Sequence, residues 1–482
     1  MTTLFTGGRV HGSPATALAV DDGVITWVGV EFPGAATETV DLAGALVAPA
    51  FVDAHVHATA AGLLRTGLDL TRVDCRGELL DAVRDRVRAH PDTPLWGHGW
   101  DETRWPDPRP PTRAELDAAA GQTPVYLSRI DVHSALATTA LVDRAPAARA
   151  ASGWSAGGPL ARDAHHHVRR AALDAITPDQ RRAAQLAFLA HAAAMGVACV
   201  HECAGPDISD EDDFADLLAL PGPLPRVVGY WGATDSAPPG AHGRAGDLFV
   251  DGALGSRTAA LASPYTDAPD TSGARYLDAD RIAAHVVACT ERGVQAGFHV
   301  IGDAAVAEVV AGFRLAERAV GERALAAAAH RLEHLEMVTP EQADELARFG
   351  VVASVQPLFD ATWGGRDGMY AQRLGERAAA LNPFAMLARA GLTLAFGSDA
   401  PVTPVDPWAT VRAAVHHRTP GSGLDEAAAF AAHTVGGWAA AGETGGLLEV
   451  GAPATFAVWD GETCLRTVLD GTTIHERSAE VA

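Results

Sequence analysis

Residues 44–57 read GALVAPAFVDAHVH, an apolar run that ends in Asp53, His55 and His57. Side chains alternate along a strand, so the two histidines face the same way. Two imidazoles at the end of a buried strand are well placed to hold one divalent ion. Such pairs also occur by chance, so their weight depends on what surrounds them. Further along, helical stretches precede short apolar runs in a fixed order. RRAAQLAFLAHAAAMG (181–196) leads into VACVHEC, and RIAAHVVACTERG (281–293) into VQAGFHV. PEQADELARFG (340–350) leads into VVASVQP, and AMLARAG (385–391) into LTLAFGSDAP. Helix, glycine, buried strand and polar tip, repeated, is the sequence form of a parallel β/α barrel. The tips carry His299, His334 (in RLEHLE, 331–336) and Asp399. Four histidines and an aspartate that each close an apolar strand predict a metal site at the C-terminal mouth of that barrel.

The flanks differ. Residues 1–50 read as short strands, with Asp21-Asp22-Gly23 as a hairpin signal inside TALAVDDGVITWVGV (16–30). Residues 436–482 are also β-rich, in APATFAVWDGE and LRTVLDGTTIHE. The expectation is a β-sandwich built from both termini, residues 1–50 and 436–482, beside a barrel over 51–435. Residues of about 59–180 break the rhythm around WPDPRPPTR (105–113) and read as an irregular insertion over one mouth.

Composition narrows the partners. The 482 residues are 48% hydrophobic and 20% charged, a globular balance. Sixty acidic against 37 basic residues give a formal charge of -23. Nucleic acid and anionic membranes would be repelled by that surface. Five cysteines without a CxxC pair argue against a disulfide framework or a Cys-rich zinc site. No basic stretch followed by an apolar run opens the chain, and no run approaches ~20 apolar residues. The expected setting is the cytoplasm, with a small-molecule substrate, no nucleic acid or membrane partner, and a homodimer as the open possibility. All 37 basic residues are arginine; there is no lysine.

The segments APAFVDAHVH, FHVIGDAAV, LEHLEMVTPEQ and FGSDAPV resemble strands 1, 5, 6 and 8 of the amidohydrolase superfamily. WGHGWDETRWPD (96–107), VYLSRIDVHSALATTAL (125–141) and FVDGALGSRTAAL (249–261) are similar to its YtcJ-like branch, which includes N-substituted formamide deformylases. The resemblance spans nearly the whole chain. It implies an α/β fold: a distorted TIM-like (β/α)8 barrel with a β-sandwich formed by both termini. It implies a metal-dependent hydrolase of non-peptide C–N bonds, of amidase, deformylase or deaminase type, using a metal-activated water. His55, His57, His299 and Asp399 would hold a divalent metal, Zn²⁺ before others, with Asp399 also the general base and His334 a catalytic imidazole.

One departure stands out. Many members of that family carry, just before the LFxDG stretch of strand 4, a lysine whose carbamate bridges two ions. Here the stretch reads GDLFVDGALGS, with Asp247 in that place. Arginine cannot substitute, because its guanidinium stays protonated. Two arrangements remain. One ion is held by His55, His57, His299 and Asp399, leaving His334 to polarise the substrate; or Asp247 or Glu202 bridges two ions. Aspartate is several atoms shorter than a carbamylated lysine, so the expectation is one ion. Trp100, Asp101 and His133 would close over the substrate or serve the fold. Arg257 would hold a substrate carboxylate or pin a loop, and His165-His166-His167 reads as a solvated polar stretch. The alternative function is a catalytically silent regulator or ligand-binding protein on the same scaffold.

Overall fold

The computed structural model describes every residue except Asp92, Asp131–His133, Asp207 and residues 479–482. The chain divides into two compact units, Met1–His57 with Leu189–Ala482, and Ala58–Phe188.

The first unit contains one eight-stranded parallel sheet. Its strands are β1 (Phe51–Val56), β2 (Val197–Ala204), β3 (Arg226–Trp231), β4 (Gly243–Arg244), β5 (Gln295–Val300), β6 (Arg331–His334), β7 (Val352–Val355) and β8 (Thr393–Phe396). They neighbour one another in chain order. The ring closes where the segment after β8 meets β1. Asp399 N donates to His55 O and His57 N to Ala400 O, both at 2.8 Å. Below them the Asp53 carboxylate accepts from Ser398 N at 2.8 Å. A Cβ on Gly397 would stand 2.5 Å from His55 N, so only glycine lets the seam close.

The repeated glycines do what the pattern required. Gly196, Gly293, Gly350 and Gly391, each just before a barrel strand, all have positive φ, between 65° and 90°. A left-handed residue ends a helix and turns the chain back, and glycine adopts it without steric cost. The helices start with equal definition. Asp278 caps Ala279–Arg292, and Thr339 and Gln342 form a reciprocal capping box on Pro340–Arg348.

Both termini build two further sheets. Thr3–Thr6, Ala17–Asp21, Val24–Gly29 and Glu38–Asp41 form one; Arg9–Val10, Leu46–Pro49, Phe456–Asp460, Thr463–Leu469 and Thr472–Glu476 form the other. The predicted hairpin turns at Asp22 and Gly23, both with positive φ, the backbone that matches strand twist. Phe5, Leu18 and Ile25 share one apolar core with Val47, Phe456 and Val468, so the two sheets pack face to face.

Residues Ala58–Phe188 are more regular than the sequence reading expected. They hold a five-stranded sheet in the order Leu160–Ala161, Ser134–Ala137, Val125–Arg129, Leu95–Trp100, Leu68–Asp69. Two apolar clusters serve it, one around Tyr126 and Val168 and one around Trp100 and Leu127. The strands are short and the proline-rich stretch masks their rhythm. A readable signal was present nonetheless: Thr112 and Glu115 form a capping box that starts helix Arg113–Ala120.

Candidate metal centre

Every group of this centre lies in the first unit. β1 and the residue after it deliver His55 and His57, and His299 is the last residue but one of β5. His334 and Asp399 follow from strand ends whose backbone turns left-handed, with φ of 70° and 54°. Such a conformation is costly for side chains with a Cβ and persists where surrounding contacts dictate it. Asp247 arrives by a detour. After β4, Gly246 takes φ 82°, and the chain rejoins the sheet through His299 N to Leu248 O and Val250 N to His299 O, each 3.0 Å. The detour turns Asp247 inward.

Asp247 is the hub. Its Oδ1 lies 3.6 Å from His55 Nε2, 3.5 Å from His299 Nδ1 and 3.7 Å from His334 Nε2, and its Oδ2 lies 3.3 Å from His57 Nε2. Asp399 Oδ1 lies 3.5 Å from His55 Nε2 and 3.1 Å from His57 Nε2. Donors on a tetrahedral zinc at its usual bond lengths stand about 3.3–3.6 Å apart. The spacing therefore fits ligands around an ion. Two triads of donor atoms share Asp247, His55–His57–Asp247 and Asp247–His299–His334, and a third joins His55, His334 and Asp399.

The ring protons fit as well. His55 Nδ1 donates to Glu333 Oε2 at 2.9 Å, and His334 Nδ1 donates to Gln356 Oε1 at 2.8 Å. His299 Nε2 faces Gly252 O at 3.3 Å. With the outer nitrogen carrying the proton, each of these rings turns a lone pair towards Asp247. His55 Nε2, His299 Nδ1, Asp247 Oδ1 and Asp399 Oδ1 are buried without a hydrogen-bond partner. Unpartnered buried polar atoms are costly, and a cation among them removes that cost.

The field points the same way. Burial disfavours charge on Asp247 and Asp399, yet the imidazoles, His55 foremost, hold Asp247 well below the usual carboxylate range and lower Asp399 too. Against the same burial, Asp247 and Asp399 hold His57 well above the ordinary imidazole value and bring His334 to about 9. The carboxylates draw positive charge into the cluster. Cys203, whose sulfur comes close to His55, is pushed well up by burial and stays a thiol.

Several expectations change. The gap foreseen at Asp247 does not exist, because the turn at Gly246 carries the backbone inward and the short side chain reaches all four imidazoles. His299 clusters with Asp247 and His334 and not with His57. Among the described residues the donor clusters do not include Glu202. It alternates on β2 with His201, whose ring meets Arg331 within the barrel, so Glu202 faces the opposite way. Trp100 is 1% exposed in an apolar core, and its Nε1 donates to Leu127 O. Asp101 accepts from Arg129 at 2.9 Å. Arg257 grips Asp267 with two nitrogens, at 3.1 and 2.8 Å. His165 is buried in helix Arg162–Ala175 against Tyr126 Oη, not solvated. His133 lies outside the described residues. Glu333 and Gln356, which set the ring protons, were missed; only their position one residue from a strand end could have marked them.

A parallel barrel whose strand ends gather imidazoles around two carboxylates carries the donor set of a metal centre. A family model described as the amidohydrolase family matches residues 38–479, and the chain belongs to that family. It is 27% identical over 463 residues to the amidohydrolase-type protein YtcJ of Bacillus subtilis (strain 168), covering 86% of this chain and 84% of that one. A metal-dependent hydrolase from Pyrococcus furiosus has a similar structure, with a TM-score of 0.79 at 25% identity, covering 95% of this chain and 99% of that one. An N-substituted formamide deformylase of Arthrobacter pascens is 31% identical over 143 residues, 28% of this chain and 26% of that one. No helix among the described residues is long and apolar enough to cross a membrane.

Proposed function

We propose that the chain hydrolyses a non-peptide C–N bond of a small molecule, of amide, formamide or aminated-heterocycle type, with two divalent ions sharing Asp247. The observation that carries this is the count and orientation of donors. Six buried groups converge, and a single four-coordinate zinc would leave two of them unmatched. Two ions held close together would need an anion between them, and Asp247, 3.3–3.7 Å from all four imidazoles, would supply it. His55, His57 and Asp399 would hold one ion, and His299 and His334 the other. His334 would then serve the second ion and not the substrate directly.

Bound metal would polarise the scissile group and make water acidic near neutral pH. The protein's own part is proton transfer and positioning. The Asp399 carboxylate, whose Oδ1 faces His55 and His57, would take the proton of the attacking water on its other oxygen and pass it to the leaving nitrogen. The left-handed backbone of Asp399 fixes that carboxylate at the mouth. The partial likeness to a formamide deformylase supports the C–N bond, and the five free cysteines suit a reducing cytoplasm. The test is a hydrolysis screen of N-formyl, N-acyl and aminated heterocyclic compounds with zinc supplied. Turnover confined to esters or phosphoesters would overturn the bond assignment.

A further inference from the structure

Beneath the centre lies a second polar cluster that the proposed reaction does not use. Arg331 and Glu333 on β6 and His201 on β2 all have 0% exposure. Arg331 Nε donates to Glu333 Oε1 at 2.6 Å, and Nη2 donates to Glu333 Oε2 at 3.0 Å. Nη2 also donates to Ala54 O at 2.7 Å and Ser354 Oγ at 3.0 Å, and Nη1 to His201 Nδ1 at 3.1 Å. The guanidinium lies 4.2 Å from the Tyr230 ring centre. One side chain thus touches β1, β2, β3, β6 and β7.

Filling a barrel does not call for such a pair. Apolar side chains of similar volume commonly stabilise a core as well or better than a buried ion pair. What distinguishes this pair is its direction: Glu333 Oε2 meets His55 Nδ1 at 2.9 Å. The acceptor fixes which nitrogen of His55 carries the proton and how the ring is rotated, and Arg331 fixes the acceptor from both sides. We infer that Glu333, clamped by Arg331, is a positioning residue that sets His55 for metal binding through Nε2. This rests on the reading of His55 as an ion ligand. Partners of this kind contribute about 10–100-fold to metal affinity.

The test uses the full chain loaded with zinc alone, its affinity read by competition with a chromophoric chelator and its stability by urea unfolding. Removing one partner would strand a buried charge, so both change together. Arg331→Met with Glu333→Leu keeps the volume apolar, while Arg331→Met with Glu333→Gln keeps an acceptor for His55. The leucine pair is expected to fold and to bind zinc about 10–100-fold more weakly, and the glutamine pair to recover part of that loss. Equal zinc affinity in the leucine pair and the wild type overturns the inference. So does a leucine pair that fails to fold, because the ion pair then belongs to the fold. A wild-type chain that holds no zinc instead removes the metal centre itself, a distinct result.

Discussion

Asp399 and His55 meet twice across the seam of the barrel: Asp399 N donates to His55 O at 2.8 Å, and Asp399 Oδ1 stands 3.5 Å from His55 Nε2 without a hydrogen bond between them. The backbone bond anchors the residue, so the carboxylate can be altered without moving the chain. Asp399 has φ 54°, a conformation asparagine adopts readily. Asp399→Asn therefore keeps shape and backbone while losing the proton acceptor. Turnover should fall by about 10²–10⁴-fold, with substrate affinity changed far less. Near-normal turnover would remove Asp399 from the chemistry.

Asp247 carries the charge that lets two cations sit together. Asp247→Asn preserves the length and the turn at Gly246 but withdraws that charge. Elemental analysis should show two ions per chain in the wild type and one or fewer in the variant, since unscreened repulsion between close divalent ions is large. One ion in the wild type would return the centre to the single-ion arrangement, with His334 free for substrate.

The strand-end residues were legible because each problem they solve is local. An apolar run with a polar tip, preceded by a glycine at β5 and β8, suffices to mark His55, His57, His299, His334 and Asp399 as strand-end groups. The reach of Asp247 was not legible. It depends on Gly246 taking φ 82° where a Cβ would stand 3.0 Å from that of Cys203, a contact between distant segments. Nor was the role of Glu333, because RLEH reads as a strand with one histidine until His55 is brought against it. Residues 58–188 hid their sheet for another reason. Its strands are too short, at two to six residues, for alternation to accumulate.

Acid should destabilise the barrel through histidines outside the centre. His285 donates to Arg244 O, His433 to Val52 O, and His330 accepts from Ala296 N, all at 2.8–2.9 Å. Burial pushes each ring down to about 4 from an ordinary 6.5. Between those values the unfolded chain binds protons that the folded chain does not, so stability falls as pH falls. Each group contributes up to about 3 kcal/mol, present above pH ~6.5 and lost towards pH ~4. Urea unfolding from pH 7.5 to 4.5 should show a falling midpoint; a flat profile would contradict the assignment.

Gly196 is where the sandwich meets the barrel. It has φ 75°, its carbonyl accepts from Phe51 N at 2.9 Å, and a Cβ there would stand 2.2 Å from the Trp459 ring. Trp459 is 1% exposed and packs edge-on against Phe51 and Trp408, so the ring has nowhere to retreat. Gly196→Ala meets two penalties: a left-handed backbone, about 1–2 kcal/mol, and overpacking, about 1–3 kcal/mol. The variant should unfold at lower urea by about 2–5 kcal/mol in total. Adding Trp459→Phe opens space beside the new methyl group and should return part of the overpacking penalty but none of the backbone one. Wild-type stability in Gly196→Ala would mean that the ring moves freely and that the contact does not tie the C-terminal sheet to β2.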